Sequence, residues 1–449
     1  MDKLFGTDGI RGQANRHPIT PEMALQVGKA IARAMGARGH GSKRAVIGKD
    51  TRLSGYMIET ALTSGLVSMG ADVFLVGPVP TPAVAHLTKS LAADAGIMVT
   101  ASHNPFDDNG IKLFSPDGYK LDDAMEAEIA RLVLSGEISS EHIRSDQIGK
   151  AYRIDDASGR YIEFAKSTIR NEKLNPLTIV LDCANGAAYH IAPLIFRELG
   201  AEVVKINVAP DGYNINNNCG ALHPRVVAEQ VRERKADLGI ALDGDADRVI
   251  FCDAHGHTVD GDRILAMCAV EFQRRGALAR DTLVCTTMSN LGLHEAMARH
   301  KIGVVTTDVG DRHVIDAMRT HGFSVGGEKS GHVIFHDYAT TGDGIITALQ
   351  VMRLMRLKQA PLAALADCMT EYPHRIVSLP VREMLPIDTL PGLSDAIRQA
   401  GDELAANGRV LVRYSGTEKK IRLLVEAREQ VLVEKWIARL TEAVRAELG

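Results

Sequence analysis

At 449 residues, with 45% apolar and 24% charged side chains, the chain is longer than one hydrophobic core supports, which points to three or four domains and excludes a disordered or fibrous protein. Its 52 basic and 56 acidic side chains leave a formal charge of −4, which excludes the strongly basic face that sequence-blind nucleic-acid binding needs and favours small-molecule chemistry. Six cysteines are scattered without a C-x-x-C pair, so neither a zinc site nor a disulfide framework is indicated. The opening Met1-Asp2-Lys3-Leu4-Phe5-Gly6 has no apolar core of signal-peptide type, and no run approaches the ~18 apolar residues of a membrane span. A cytoplasmic location is the expectation.

Short β-rich runs alternate with helical stretches along most of the chain, the pattern of parallel α/β layers. In the first stretch Ala45-Val46-Ile47-Gly48, Val73-Phe74-Leu75-Val76 and Gly96-Ile97-Met98-Val99 read as strands, with a helix over 57–69. Thr178-Ile179-Val180-Leu181, Val203-Val204-Lys205-Ile206 and Leu238-Gly239-Ile240-Ala241 repeat the pattern. Thr282-Leu283-Val284-Cys285, Val304-Val305-Thr306 and Phe323-Ser324-Val325 repeat it again. The last ~75 residues differ: strands over 409–413 and 421–426 and a helix from Gln430 suggest a smaller α+β unit, with a hinge at Glu371-Tyr372-Pro373-His374, where proline stops a helix. The predicted fold class is α/β, with three similar domains of mixed, mostly parallel sheets at 1–155, 156–254 and 255–368, followed by a C-terminal α+β domain at 369–449.

Ligands of open α/β sheets sit beyond the carboxyl ends of strands, and three unusual polar loops fall there: 100–105, 243–248 and 326–332. Asp243-Gly244-Asp245-Ala246-Asp247-Arg248 places carboxylates at every second position, an arrangement that can fold around one hard cation. A solvated acidic turn is the plain alternative. An EF-hand is disfavoured, because its glycine position holds Arg248 and its twelfth position Ala254. Magnesium fits better, since a few carboxylates and a phosphate oxygen suit its octahedral geometry. Ser102, in Thr100-Ala101-Ser102-His103-Asn104-Pro105, supplies the anionic partner if phosphorylated, because a phosphoserine can ligate a metal. Read alone, the same string is a turn closed by Asn-Pro.

Lys112, in Asn109-Gly110-Ile111-Lys112, returns toward Ser102, where it could neutralise charge or shuttle a proton. Arg11, in Gly6-Thr7-Asp8-Gly9-Ile10-Arg11-Gly12, and Arg413-Tyr414-Ser415-Gly416-Thr417-Glu418 each offer a guanidinium beside flexible backbone, as phosphate sites do. Glu328 and Ser330 could hydrogen-bond sugar hydroxyls or an amino group, with Lys329 and His332 adding charge. Neither a G-x-x-x-x-G-K-[ST] nor a G-x-G-x-x-G string occurs, so nucleotide binding of those kinds is unsupported.

Taken in order along the chain, the Gly6 to Gly12 string, the Thr100 to Pro105 string, Asp243 through Arg248, Glu328-Lys329-Ser330-Gly331-His332 and Arg413-Tyr414-Ser415-Gly416-Thr417 together resemble the α-D-phosphohexomutase superfamily. The resemblance implies four domains around a central cleft, each lending one loop. It implies phosphoserine at Ser102, one magnesium ion per subunit held by Ser102, Asp243, Asp245 and Asp247, and sugar contacts from Glu328 and Ser330. Arg413, Ser415, Gly416 and Thr417 would hold the phosphate that is not transferred; Arg11, Lys112 and Arg248 would surround the reacting one. His332 and Lys112 are then the proton-shuttle candidates, because Asp311 stands near the position where mannose-type relatives have a histidine. Lys329 stands where an amide is common, and Lys419 replaces a proline.

Val309-Gly310-Asp311-Arg312 resembles the glucosamine branch. That implies interconversion of glucosamine 6-phosphate and glucosamine 1-phosphate through a 1,6-bisphosphate, feeding UDP-N-acetylglucosamine synthesis. Glucosamine or glucose 1,6-bisphosphate could serve as activator, with a small-molecule sugar phosphate as partner, no nucleic acid or membrane, and a homodimer the assembly common in that branch.

Overall fold

The computed structural model describes residues 4–6, 8–35, 43–415 and 419–449. Among the described residues there are four sheets. The chain divides into two compact units, Met1–Met288 with Lys301–Cys368, and Ser289–His300 with Met369–Gly449.

Three sheets lie in the first unit. In the first, Lys43–Lys49 pairs in parallel with Ala71–Pro78 and with Ala95–Val99. Ala95–Val99 is buried along its whole length, which is why it reads as an unbroken apolar run. Asp108–Phe114 then returns antiparallel to it, bringing Lys112 opposite Met98, and Ile10–Gln13 adds antiparallel beyond, with Arg11 opposite Gly110. Helices Pro21–Ala34 and Ser54–Val67 pack together so closely that a Cβ on Gly28 would lie 2.5 Å from Leu62 O, and one on Gly65 2.2 Å from Leu25 O. Thr20 caps the first of them by accepting the Met23 N–H at 3.2 Å, a contact worth about 1 kcal/mol.

The second sheet pairs Thr178–Asp182 in parallel with Glu202–Ile206 and Leu238–Leu242, then adds the antiparallel strands Val249–Asp253 and Thr258–Val259. The acidic turn 243–248 is therefore the connection between an incoming parallel strand and an antiparallel return. The third sheet pairs Thr282–Thr286 in parallel with Gly303–Thr307 and Val325–Gly327. Here the predicted strand over 323–325 is displaced: Phe323 and Ser324 lie outside it, and Gly326 and Gly327 are strand residues. They pair antiparallel with Val333–Phe335, so the polar loop is the tighter 328–332.

In the second unit, Lys420–Ala427 is the central strand, antiparallel to both His374–Pro380 and Gly408–Tyr414. Helices Pro391–Leu404 and Gln430–Leu448 cover it with an apolar layer that includes Leu393, Leu423, Trp436 and Leu440. Helix Leu291–Arg299 belongs to this unit. Leu291 N–H donates to Glu426 Oε1 at 2.6 Å, and Asn290 Nδ2 donates to Tyr372 O at 3.1 Å. Pro373 therefore lies inside the unit, beyond the division at Cys368.

Candidate active site

Strand ends set the site. Ser102 follows strand Ala95–Val99, and the acidic turn follows Leu238–Leu242. The two loops meet, with Ser102 Oγ donating to Asp243 Oδ2 at 2.8 Å. Ser102, Asp243, Asp245 and Asp247 are all buried. One oxygen from each of the three aspartates lies within 4.8 Å of the others. Burying three carboxylates so close is costly unless cations share the space.

Part of that compensation comes from Lys112, whose Nζ donates to Asp245 Oδ2 at 2.9 Å and Asp247 Oδ2 at 3.2 Å and lies 3.3 Å from Asp8 Oδ2. Asp245 Oδ1 and Asp247 Oδ1 remain buried without a hydrogen-bond partner among the described residues. Clustered carboxylates with unpartnered oxygens are the donor set a small, hard divalent cation takes, so the residues fit such an ion.

Each neighbour holds the acidic turn in place. Thr81 N–H donates to Asp245 O at 2.9 Å and its hydroxyl to Asp245 Oδ2 at 2.6 Å. Ala187 N–H donates to Gly244 O at 2.8 Å, and Gly344 N–H to Ala246 O at 3.0 Å. A side chain on Gly344 would come within 2.7 Å of Arg248 O, so glycine lets helix Gly344–Lys358 begin against the turn. That helix is capped by buried Asp343, which accepts from Ile345 N–H and Ile346 N–H.

The electrostatics divide the acids into two kinds. Burial, then the like charges of Asp247 and Asp245, hold the Asp243 carboxyl well above the usual range. Burial acts against Asp247 as well, but Lys112 and His332 outweigh it and hold that carboxyl well below the range. Lys112 shows the mirror case: burial alone would lower it, yet Asp245, Asp247 and Asp8 keep it charged, with its pKa well above normal.

Metal-free protein thus keeps a proton on Asp243 at pH values where an ordinary aspartate has lost it, and a cation must displace that proton. Divalent-cation affinity is therefore expected to rise with pH through Asp243's raised range, with proton release on binding. Calorimetric titrations in buffers of different ionisation enthalpy measure this. Buffer-independent heats below neutrality would contradict it.

The remaining sequence-predicted residues are placed as follows. Arg11 donates to Asp8 Oδ2. Arg248 sits beside the acids, its Nε 3.8 Å from Asp247 Oδ1. Glu328 Oε1 accepts Gly310 N–H at 3.1 Å, and Glu328 Oε2 accepts the Ser330 hydroxyl at 3.0 Å. That loop is tied to the acidic turn's return strand, since Val249 N–H donates to Gly331 O at 3.1 Å, and a Cβ on Gly331 would lie 2.2 Å from Val249 O. His332 is buried; its Nε2 accepts Gly342 N–H at 3.0 Å, and its Nδ1 lies 3.7 Å from Asp247 Oδ1. Burial alone would lower the pKa of His332, but Asp247, Asp311 and Glu328 outweigh it and raise that pKa.

Arg413 and Ser415 stand in the second unit at the end of strand Gly408–Tyr414, where Ser415 N–H donates to Lys420 O at 2.8 Å. Thr7, Gly416, Thr417 and Glu418 lie outside the described residues.

Several contributors were not singled out by sequence. Lys120 bridges Asp8 and Asp311, at 2.5 Å to each. Thr81 bonds the turn, and His103 Nδ1 lies 3.3 Å from Ser102 Oγ, its pKa pushed down to about 4 by burial and by Arg248 and Arg11. Asp50 and Arg52 follow the carboxyl end of strand Lys43–Lys49, so strand-end position was the signal that could have marked them.

Known proteins resemble this chain throughout. Family models described as phosphoglucomutase/phosphomannomutase α/β/α domains I, II and III and C-terminal domain match residues 2–138, 159–256, 260–372 and 377–443. A phosphoglucosamine mutase from Pelobacter propionicus is 52% identical over 450 residues, spanning 100% of this chain and 99% of that protein. One from Anaeromyxobacter dehalogenans is 52% identical, spanning 98% and 99%. A phosphoglucomutase/phosphomannomutase family protein from Burkholderia thailandensis matches in structure with a TM-score of 0.82 at 25% identity, covering 99% of this chain and 97% of the other. The N-acetylphosphoglucosamine mutase of Aspergillus fumigatus shares the fold, with a TM-score of 0.66 at 20% identity, covering 99% and 96%.

Proposed function

This chain belongs to the phosphoglucomutase/phosphomannomutase family, and from that premise we propose that it acts as a phosphoglucosamine mutase, interconverting glucosamine 6-phosphate and glucosamine 1-phosphate through a 1,6-bisphosphate. The observation that carries this reading is the 52% identity to phosphoglucosamine mutases along the whole length.

Phospho-Ser102 transfers its phosphoryl group to a sugar hydroxyl: the Oγ–P bond breaks, a sugar O–P bond forms, and the hydroxyl's proton ends on Ser102 Oγ. The bisphosphate turns over and its other phosphate returns to Ser102, so the enzyme is regenerated. Ser102, Asp243, Asp245 and Asp247 would hold one magnesium ion, which when bound would neutralise charge on the transferring group. Arg11, Lys112 and Arg248 add positive charge around it, so positioning and electrostatics carry most of the catalysis. His332, buried with its Nδ1 3.7 Å from Asp247 Oδ1, and Lys112 are the groups that would pass the hydroxyl's proton. Glu328 and Ser330 contact the sugar, and Arg413, Ser415, Gly416 and Thr417 hold the phosphate that is not moving. Burial of Ser102 and the three aspartates limits hydrolysis of the phosphoserine.

The four domains follow the sequence bounds 1–155, 156–254, 255–368 and 369–449, except that Ser289–His300, within the third, packs in the C-terminal unit. A 1,6-bisphosphate of glucosamine or glucose serves as activator, the assembly is a homodimer, and the enzyme works in the cytoplasm to supply UDP-N-acetylglucosamine synthesis. Among the described residues no helix is long and apolar enough to cross a membrane. The test is a coupled assay of glucosamine 6-phosphate conversion with and without EDTA, alongside kcat/KM for glucose and mannose phosphates. Glucosamine phosphate is expected to lead, with EDTA abolishing turnover. A higher kcat/KM for mannose or glucose phosphate would reassign the substrate.

A further inference from the structure

Arg52 is the largest fully buried side chain among the described residues, and phosphoryl transfer as described gives it nothing to do. All five of its guanidinium N–H groups are used. Nε donates to Asp50 Oδ2 at 2.9 Å, Nη1 to Asp108 O at 3.1 Å and to Pro105 O, and Nη2 to Ser102 O at 3.0 Å and Asn104 O at 2.8 Å. Four of the five acceptors are backbone carbonyls of one loop, 102–108. Burying a guanidinium mostly against carbonyls is an expensive way to fill space, since an apolar side chain of similar size packs a core without the desolvation cost. What the planar fork provides is geometry: one rigid group fixes four carbonyls at once.

A second side chain converges on the same atoms from the second sheet's domain. Asn216 Nδ2 donates to Ser102 O at 2.8 Å and to Asn104 O at 3.0 Å, so each of these carbonyls accepts from both Arg52 and Asn216. The acidic turn leaves room for the junction: a Cβ on Gly244 would stand 2.6 Å from Ser102 O and 2.7 Å from Asn216 Nδ2. Ser102 itself has φ +52°, a left-handed conformation that costs a serine roughly 1–2 kcal/mol and persists only where neighbours enforce it. In that conformation its Oγ reaches Asp243. The Ser102 N–H is held too, donating to Thr100 Oγ1 at 2.9 Å, while the Thr100 hydroxyl donates to Asp50 Oδ2 at 2.7 Å.

We propose that Arg52 and Asn216 are positioning residues for the phosphoryl carrier: together they pin the Ser102 and Asn104 carbonyls, so that the strained serine backbone keeps Oγ aimed into the acidic turn. This rests on the mutase reading for its catalytic consequence, but not for its geometry.

Two variants test it, each read by three measurements. Asn216→Asp is isosteric and tolerates Asn216's φ of +57°, yet sets a carboxylate oxygen against two carbonyls. Arg52→Lys keeps the charge but has three donors and no fork. Both are expected to speed amide hydrogen exchange within 100–108 by about tenfold or more while the strands of all four sheets stay protected. Both are expected to lower kcat by ~10²-fold with KM changed less than about threefold, the signature of a misplaced reacting atom. If Asn216→Asp does not fold, Asn216→Gly keeps the positive φ, deletes both bonds and carries the same expectation. Unchanged exchange over 100–108, or a kcat loss that only follows a general rise in exchange across the sheets, overturns the proposal. Should the wild-type protein fail to turn over glucosamine phosphate, the mutase reading falls separately, and the exchange data still decide the positioning.

Discussion

Ser102→Ala is expected to reduce mutase turnover by at least ~10⁴-fold, the scale on which removing a covalent nucleophile acts. The hydroxyl oxygen is the only atom lost, and it is the atom proposed to carry the phosphoryl group. The loop's own supports survive, because Arg52 and Asn216 bond Ser102 through its carbonyl. The variant should therefore fold, bind sugar phosphate and show no phosphorylated form by intact-mass spectrometry. Retained turnover would remove Ser102 from the mechanism.

Asp243→Asn is expected to separate activity from stability. Asparagine preserves both contacts of the native side chain in shape: an oxygen to accept Arg248 N–H, now at 3.1 Å, and a polar atom opposite Ser102 Oγ, now at 2.8 Å. What it removes is a charge that burial and the neighbouring Asp247 and Asp245 already disfavour. The sign follows from linkage. A carboxyl whose pKa is raised by folding contributes stability fully below its unfolded pKa and loses it as pH rises through the folded value. At neutral pH the metal-free variant should therefore be as stable as the parent or more so, with an unfolding temperature equal or higher by a few degrees. Magnesium affinity and kcat/KM should fall about 10²-fold or more, as when a transition-state charge partner is removed. Scanning calorimetry in EDTA, magnesium titration and steady-state kinetics read the three quantities. A metal-free variant clearly less stable than the parent would make Asp243 a structural group.

Much of this could be read from the residues, for identifiable reasons. The parallel strands were legible because runs such as Leu238–Leu242 are buried on both faces and so are uniformly apolar. The acidic turn was legible because three aspartates at alternate positions have few structural uses. The antiparallel returns were not. Val333–Phe335 has three residues, too few to show a period, and its pairing with Val325–Gly327 moved the start of the third polar loop from 326 to 328. Helix Leu291–Arg299 joins the C-terminal unit through Glu426 and Tyr372, contacts more than 75 residues distant that no local pattern reports. Arg52 and Asn216 were missed because their partners are backbone carbonyls, which every residue has. An arginine at a strand end reads as solvated until the loop it grips is placed in space.

The most direct measurement is a label chase. Protein carrying a radiolabelled phosphate on Ser102 is mixed, free of nucleotide, with excess glucosamine 6-phosphate and magnesium, and the label is followed through protein, bisphosphate, monophosphates and inorganic phosphate. The expected result is label leaving Ser102 into glucosamine 1,6-bisphosphate and then the monophosphates, while the protein stays phosphorylated by unlabelled phosphate. Label that remains on the protein during turnover, or that appears only as inorganic phosphate, would show that Ser102 does not carry the transferred group.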